Sequence, residues 1–197
     1  MASLKLAVAA LALFAAMPAR ADPVARWRPY IAEASARFGI PPAWIERVMR
    51  AESGGRTMHR GRPTTSRAGA MGLMQLMPGT WAEMRRRLGL GADPHHPRDN
   101  ILAGTLYLRL MYDRFGYPGL FAAFNAGPAR YADHLATGRR LPGETRAYLA
   151  TVAVGAQSPQ EVAAVKTPSR SLFFSLSAAS PEPRAACLFV PIGTRDE

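Results

Sequence analysis

From Val24 onward, apolar positions recur at intervals of three and four rather than two, and Gly and Pro cut the pattern into segments. That spacing predicts a succession of short helices and no alternating strand. Trp27, Tyr30, Ile31, Ala34 and Phe38 make the first apolar stripe, and Gly39 stands where a left-handed residue closes a helix. Pro41 and Pro42 suit the first turn of a second helix, where a missing N–H needs no partner, and this helix is expected to run to about Ser53. A short apolar stretch from Ala68 to Met77 ends at Pro78-Gly79. Thr80 with Glu83 reads as a T-x-x-E capping box for a helix through Leu88, which Gly89 and Gly91 terminate. Asp99 is expected to cap the longest segment, whose Ile101, Leu102, Thr105, Leu106, Leu108, Leu110 and Phe115 mark it as the central helix up to Gly116. Pro118 opens a segment to Asn125, Pro128 one to about Ala136, and Pro142 one to about Val154. The expected fold class is all-α.

The two ends differ from this middle. Lys5, the apolar run from Leu6 to Ala16 and the small-x-small triplet Ala19-Arg20-Ala21 have the form of an export signal over residues 1–21, with the mature chain starting at Asp22. A membrane anchor is the competing reading, but the run stops at Pro18, short of the roughly 18–20 apolar residues a span requires. After Gly155 the composition shifts to Ser, Ala and Pro with isolated apolar clusters, so residues 156–197 are expected to form a low-complexity, poorly ordered tail. One domain, residues 22–155, remains between them, as the length of 197 residues also favours.

Charge narrows the partners. The formal charge of +11 falls to +9 once Lys5 and Arg20 leave with the signal, and such a surface favours polyanions: nucleic acid, anionic lipid or an acidic wall polymer. Export makes nucleic acid the weakest of these. Nearly all the basic residues are Arg in an Ala-rich chain, so coding bias is a competing explanation. Cys187 stands alone, which excludes an intrachain disulfide and a cysteine zinc site.

Glu52 is the most informative single residue. Ile45, Val48 and Met49 lie seven, four and three positions before it, so the carboxylate continues the apolar stripe of the second helix and projects inward. It also falls in the last helical turn, where the negative end of the helix dipole disfavours its ionised form. Burial and dipole both raise its pKa, as a general acid requires. A plain ion pair with Arg50 or Arg56 at a helix end is the structural alternative. Asp93, His95, His96 and Asp99 crowd one turn, but without an H-E-x-x-H or i, i+4 histidine pair they read as a solvated turn and no metal is expected there. No nucleophile elbow or phosphate-binding glycine loop occurs.

Glu52-Ser53 is followed by Ser66, by Gly69-Ala70 and by Gly72-Leu73-Met74-Gln75-Leu76-Met77-Pro78. Three further blocks come after it: Asn100-Ile101 with Gly104 and Tyr107-Leu108; Ala122-Ala123-Phe124-Asn125-Ala126-Gly127-Pro128; and Glu144-Thr145 with Tyr148-Leu149. In this order the blocks resemble the soluble lytic transglycosylase domain of glycoside hydrolase family 23, related to goose-type lysozyme, over about residues 26 to 155. The resemblance implies a lysozyme-like helical domain in which Glu52 is the catalytic acid and base. It further implies that Gln75 and Asn125 line a sugar cleft with Met74 in the same wall. Ser66 would lie near the reacting N-acetyl group, and Tyr148 is matched to a tyrosine of that cleft. Phe124 stands where the family usually has Tyr, and the stretch from Gly54 to Arg67 is a few residues longer than usual.

Only Glu52 is placed by a motif, whereas an ordinary glycosidase needs two facing acids. The resemblance supplies the alternative: Glu52 protonates the bond between N-acetylmuramic acid and N-acetylglucosamine, the substrate's acetamido group stabilises the developing cation, and the muramic C6 hydroxyl closes on C1 to give a 1,6-anhydro sugar. No metal or organic cofactor is implied. Peptidoglycan strands are the expected partner, in the periplasm or outside the cell, with no nucleic acid and no membrane anchor after signal cleavage. Small exported enzymes of this type resemble those that open the wall for secretion or conjugation complexes. The rivals are a hydrolytic lysozyme on the same scaffold and a non-catalytic peptidoglycan-binding module. Glu144, just after Pro142-Gly143, is expected to stabilise a helix N-terminus, with a second catalytic role as the alternative.

Overall fold

A computed structural model describes residues 22–153. The expected export signal and the tail lie outside the described residues. After a 3-10 turn at Ala25–Trp27 come α1 (Arg28–Phe38) and α2 (Pro42–Ser53), a two-stranded ribbon of β1 (Met58–His59) and β2 (Arg62–Pro63), and then α3 (Pro78–Leu88), α4 (Pro97–Ala126), α5 (Pro128–Thr137) and α6 (Gly143–Val152). The described residues are mostly helical, as the three-four periodicity requires. Proline at the first positions starts α1 to α5, and α1, α2, α3 and α5 each close on a left-handed glycine whose N–H returns to the preceding turn.

Helix α4 is central and packs against α1, α3, α5 and α6. Gly116 and Tyr117 leave the helical region and interrupt it, so its two arms are two helical segments, as the sequence predicts on either side of this point. Its buried face carries Ile101, Leu102, Leu108, Leu120 and Phe121. Trp44 of α2 is fully buried against this face and meets the rings of Tyr112, Tyr117 and Phe121 at 5.8, 5.3 and 5.7 Å. These aromatic contacts fix α2, and with it Glu52, on the central helix.

Three local expectations are corrected. Thr80 and Glu83 do not form a capping box. Helix α3 already begins at Pro78, so Thr80 sits inside the first turn with no capping bond, and Glu83 pairs instead with Arg87 one turn on. Asp99 does not cap α4, because the helix begins at Pro97. The cap is His96, whose ring nitrogen accepts the Asp99 N–H, while Asp99 itself accepts from the Gly91 N–H at 3.1 Å. Finally, a short strand pair stands between α2 and α3, where no strand is expected. A tight turn at Arg60-Gly61, both at positive φ (51° and 76°), joins β1 to β2, and Met71 bridges to both Thr65 and Leu76.

Candidate active site

The sequence Glu52-Ser53-Gly54-Gly55 ends α2 and turns the chain, and Ser53 locks this end in place. Its hydroxyl donates to the Leu73 carbonyl at 2.8 Å and accepts the Gly55 N–H at 3.2 Å. From the other side, the Trp27 indole N–H and the Arg26 guanidinium both donate to the Gly55 carbonyl, at 2.9 and 2.8 Å. Glu52 therefore directly precedes an anchored segment. It forms no ion pair among the described residues, and Arg50 points instead to Asp22 at 2.5 Å. The helix-end ion pair weighed as the structural alternative is not made.

Gly72 to Leu76 form the facing wall. Met71 and Leu76 exchange backbone hydrogen bonds at 2.9 and 3.1 Å, which closes the loop on itself. Asn100, fully buried on α4, supports it from beneath: its carboxamide oxygen accepts the Met74 N–H at 2.7 Å, and its amide donates to the Met71 and Pro94 carbonyls at 3.1 and 2.9 Å. Only glycine allows this approach, since a Cβ on Gly72 would lie 2.4 Å from the Asn100 amide nitrogen and one on Gly104 2.6 Å from the Met74 side chain. The folded loop leaves Gln75 in the left-handed region at φ 47°, with its amide donating to the Gly72 carbonyl at 2.7 Å. A non-glycine residue at such a φ costs about 1–2 kcal/mol, and local strain of this kind marks a site over-determined by its surroundings.

Between these walls lies a cavity of about 470 Å³ lined by Glu52, Ser66, Gln75, Phe124, Asn125 and Glu144, with Thr80 and Tyr107 also on its surface. Five of the sequence candidates thus meet around one space. Met74 does not join them: its side chain is fully buried behind the wall against Gly104, so its place is structural support of the loop and not the lining. Tyr148 approaches Glu52 from α6. Its hydroxyl is buried without a partner in full hydrogen-bond geometry, yet it lies close enough to the carboxyl for each to shift the other's ionisation.

Electrostatics single out Glu52. Burial is the largest influence and lifts its pKa from 4.5 to about 7; Tyr148 pulls it down, and the Glu144 carboxylate raises it further. The side chain therefore carries its proton near neutral pH and can release it there, as a general acid that later serves as base must. Glu144 is exposed in the first turn of α6, as its sequence position suggests, but it also faces Glu52 across the cavity. The sequence offered a second catalytic role for Glu144 only as the alternative, and the structure brings its carboxyl to the same cavity as Glu52. Sequence reading assigned no role in the cleft to Tyr107, one turn before Met111 on α4, whose ring packs on Phe124 at 5.3 Å. Only the packing of the two arms of α4 brings those rings together.

Around residue 95 Asp93, His96 and Asp99 are engaged locally, while the His95 Nδ1 is buried without a hydrogen-bond partner. Asp93 accepts the His95 N–H, and His96 and Asp99 bond as described above. Among the described residues no group of three or more His, Cys, Asp or Glu could hold a metal ion, and no helix is long and apolar enough to cross a membrane.

Comparisons with known proteins point to one family. A transglycosylase of Enterobacteria phage PRD1 is 38% identical over 91 residues, covering 46% of this chain and 31% of the phage protein. The soluble lytic murein transglycosylase of Escherichia coli K12 is 42% identical over 72 residues, covering 33% of this chain and 11% of its own length. An inactive mutant of the lytic transglycosylase Slt from Pseudomonas aeruginosa superposes with a TM-score of 0.55 at 31% identity, over 64% of this chain and 22% of that one. The chain thus spans a third or less of these relatives. Residues 29–145 match the family described as Transglycosylase SLT domain, and the protein belongs to that family.

Proposed function

We propose that this protein is a peptidoglycan lytic transglycosylase that cleaves the bond between N-acetylmuramic acid and N-acetylglucosamine and leaves a 1,6-anhydromuramic end. The observation that carries this reading is Glu52, an acid with a pKa of about 7, standing without an ion pair in a cavity shared with Gln75 and Asn125. Protonated Glu52 donates to the glycosidic oxygen as the bond breaks. The substrate's own acetamido group stabilises the positive charge at C1, with Ser66 positioned at the same cavity. Glu52, now a carboxylate, takes the proton of the muramic C6 hydroxyl as that oxygen bonds to C1. Gln75 and Asn125 hold the sugars by hydrogen bonds to their polar edges. The proton donor is regenerated and no water is consumed.

The names of the relatives, soluble and membrane-bound murein transglycosylases, support action in the cell envelope. With the export signal of residues 1–21, they favour a periplasmic or secreted enzyme. The resemblance to small exported wall-opening enzymes, with a phage transglycosylase among the relatives, favours a role in local opening of the wall for a secretion or conjugation complex.

Digestion of purified peptidoglycan in oxygen-18 water, followed by mass analysis, tests the chemistry. Products should carry anhydromuramic ends, one water lighter than lysozyme products, and no label. Label at the muramic C1 would mean that water attacks, and Glu144 would then be the base.

A further inference from the structure

Charge on the described surface is unevenly balanced. Six arginines outside the β-ribbon are ion-paired, among them Arg50 with Asp22, Arg98 with Glu33 and Arg139 with Asp133. The stretch around the ribbon lacks such partners. Between Glu52 and Glu83 the chain holds four arginines, one histidine and no Asp or Glu. Arg56, Arg60, Arg62 and Arg67 are all exposed, and none makes an ion pair among the described residues. Coding bias accounts for many arginines, but not for the missing acids.

The same ribbon carries an apolar couple. Met58 stands opposite Pro63 and His59 opposite Arg62, so an apolar pair and a cationic pair follow one another along it. All four residues are exposed, Met58 at 51%. Only Met77 and Leu135 are comparably open among the large apolar side chains of the described residues. The ribbon is nevertheless ordered and stands off the body, since neither strand packs broadly on a helix. Thr64 donates its N–H to the Thr57 carbonyl and its hydroxyl to the Arg56 carbonyl, both at 2.9 Å. The Gly72 N–H donates to the Thr64 carbonyl at 2.9 Å and ties the base of the ribbon to the loop that carries Gln75.

Exposed arginines around an exposed apolar side chain fit one kind of partner better than others. A soluble polyanion answers the arginines and leaves Met58 in water. The surface of a bilayer that contains anionic phospholipid answers both, with phosphates at the level of the guanidinium groups and an acyl boundary just beneath for the apolar side chain. We infer that the β-ribbon docks the protein on the surface of a bilayer rich in anionic phospholipid, with Arg56, Arg60, Arg62 and Arg67 at the phosphates and Met58 with Pro63 at the acyl boundary. The contact is peripheral and reversible, because one small apolar couple and a few charges fall short of an anchor. It is separate from the chemistry at Glu52 and does not depend on the proposed cleavage of peptidoglycan.

Sedimentation with vesicles tests this. The mature chain, residues 22–197, is mixed with vesicles of pure phosphatidylcholine and with vesicles that also contain phosphatidylglycerol, at low and at high salt. It should bind the mixed vesicles alone and leave them as salt rises. Each arginine beside an anionic surface is worth about fivefold in partition, so Arg60→Gln/Arg62→Gln should weaken binding about ten- to thirtyfold. Arg60→Lys/Arg62→Lys keeps the charge and should bind as the parent does. Met58→Ser should weaken binding about two- to fivefold and leave its salt dependence unchanged. Arg86→Gln/Arg140→Gln removes the same charge from exposed positions outside the ribbon and should change binding by less than about twofold. Circular dichroism matching the parent's separates lost docking from a lost fold. Equal losses in the two Gln pairs would assign the attraction to net charge and overturn the ribbon as the docking surface. Equal binding to both kinds of vesicle, or binding to neither, would overturn the inference outright. Soluble polyphosphate bound as tightly as the mixed vesicles, with Met58→Ser indistinguishable from the parent, would replace the lipid surface by a soluble polyanion.

Discussion

Replacing Glu52 by Gln should abolish turnover and at the same time stabilise the fold in a pH-dependent manner. The sign follows from linkage. Below pH 4.5 the carboxyl is protonated in both the folded and the unfolded chain, so its burial adds no charge penalty. Between pH 4.5 and about 7 the unfolded chain releases the proton and the folded chain retains it, so folding binds a proton and stability falls as pH rises. Above pH 7 the carboxylate is charged in both states and the folded protein bears the full cost of holding it among Tyr148, Glu144 and the cavity wall. A displacement from 4.5 to about 7 corresponds to an upper bound on the order of 3 kcal/mol. Glu52 is partly open to the cleft, so the expected difference is about 1–3 kcal/mol.

Glutamine keeps the shape and removes the charge. The stability of Glu52→Gln minus that of the parent should rise between pH 4.5 and 7 and reach a plateau above it. Urea denaturation followed by circular dichroism at half-unit pH intervals measures this. On the plateau the midpoint difference should be roughly 1 M, given the usual urea dependence of small domains. A difference that stays flat from pH 4.5 to 8 would refute the argument, because Glu52 would then titrate alike in both states and would hold no proton at neutral pH. Wall cleavage by the variant at a tenth of the parent rate would separately remove Glu52 from the mechanism.

Tyr148 lowers and Glu144 raises the pKa of Glu52. In kcat measured against pH, activity should fall as pH rises through about 7, with Tyr148→Phe moving that limb to higher pH and Glu144→Gln to lower pH; shifts in the same direction would sink the assignment. Phe124→Tyr adds a hydroxyl to the cavity wall and should raise kcat by up to about tenfold, the worth of one hydrogen bond to a carboxyl. A loss in its steady-state rate would mean that the contact with Tyr107 tolerates no further atom. Gly104→Ala places a Cβ 2.6 Å from Met74 in a closed interior. It should cost about 1–3 kcal/mol in urea denaturation, and unchanged stability would mean that the Gln75 loop is not wedged on α4.

Much of this was legible in the chain because helix ends announce themselves. Gly39, Gly54, Gly89 and Gly138 end helices as glycines do, and prolines open the elements they were expected to open. Glu52 was legible for the same local reason, since the stripe of Ile45, Val48 and Met49 points its side chain inward. Residues 57–76 were not, because what folds them is distant: Asn100 lies 26 residues beyond the Met74 amide it receives, and Ser53 is 20 residues before the Leu73 carbonyl it holds. The ribbon turn is Arg-Gly rather than the familiar Asn-Gly, so it carried no local signal either. The approach of Glu144 to Glu52 depends on how α6 packs against α2, which no periodicity encodes.

Several departures from a comfortable fold gather around one cavity: a buried carboxyl without an ion pair, a glutamine at φ 47°, and a tyrosine hydroxyl buried without a full hydrogen bond. Scattered over the molecule, each would be a defect of about 1–3 kcal/mol with no compensation. Together they share one support. Trp27 and Arg26 hold the backbone just after Glu52, and Ser53 and Asn100 hold the loop that carries Gln75, so the loop and the helix end cannot relax to relieve any one of them. Relaxation would let Glu52 reach solvent or an arginine, its pKa would fall back towards the ordinary carboxylate range, and the proton needed for bond cleavage would be lost at neutral pH. Rigidity behind the site and unpaired chemistry in front of it are therefore one requirement, and it explains why polar residues buried on α2 and α4 stand where an apolar core would have been more stable.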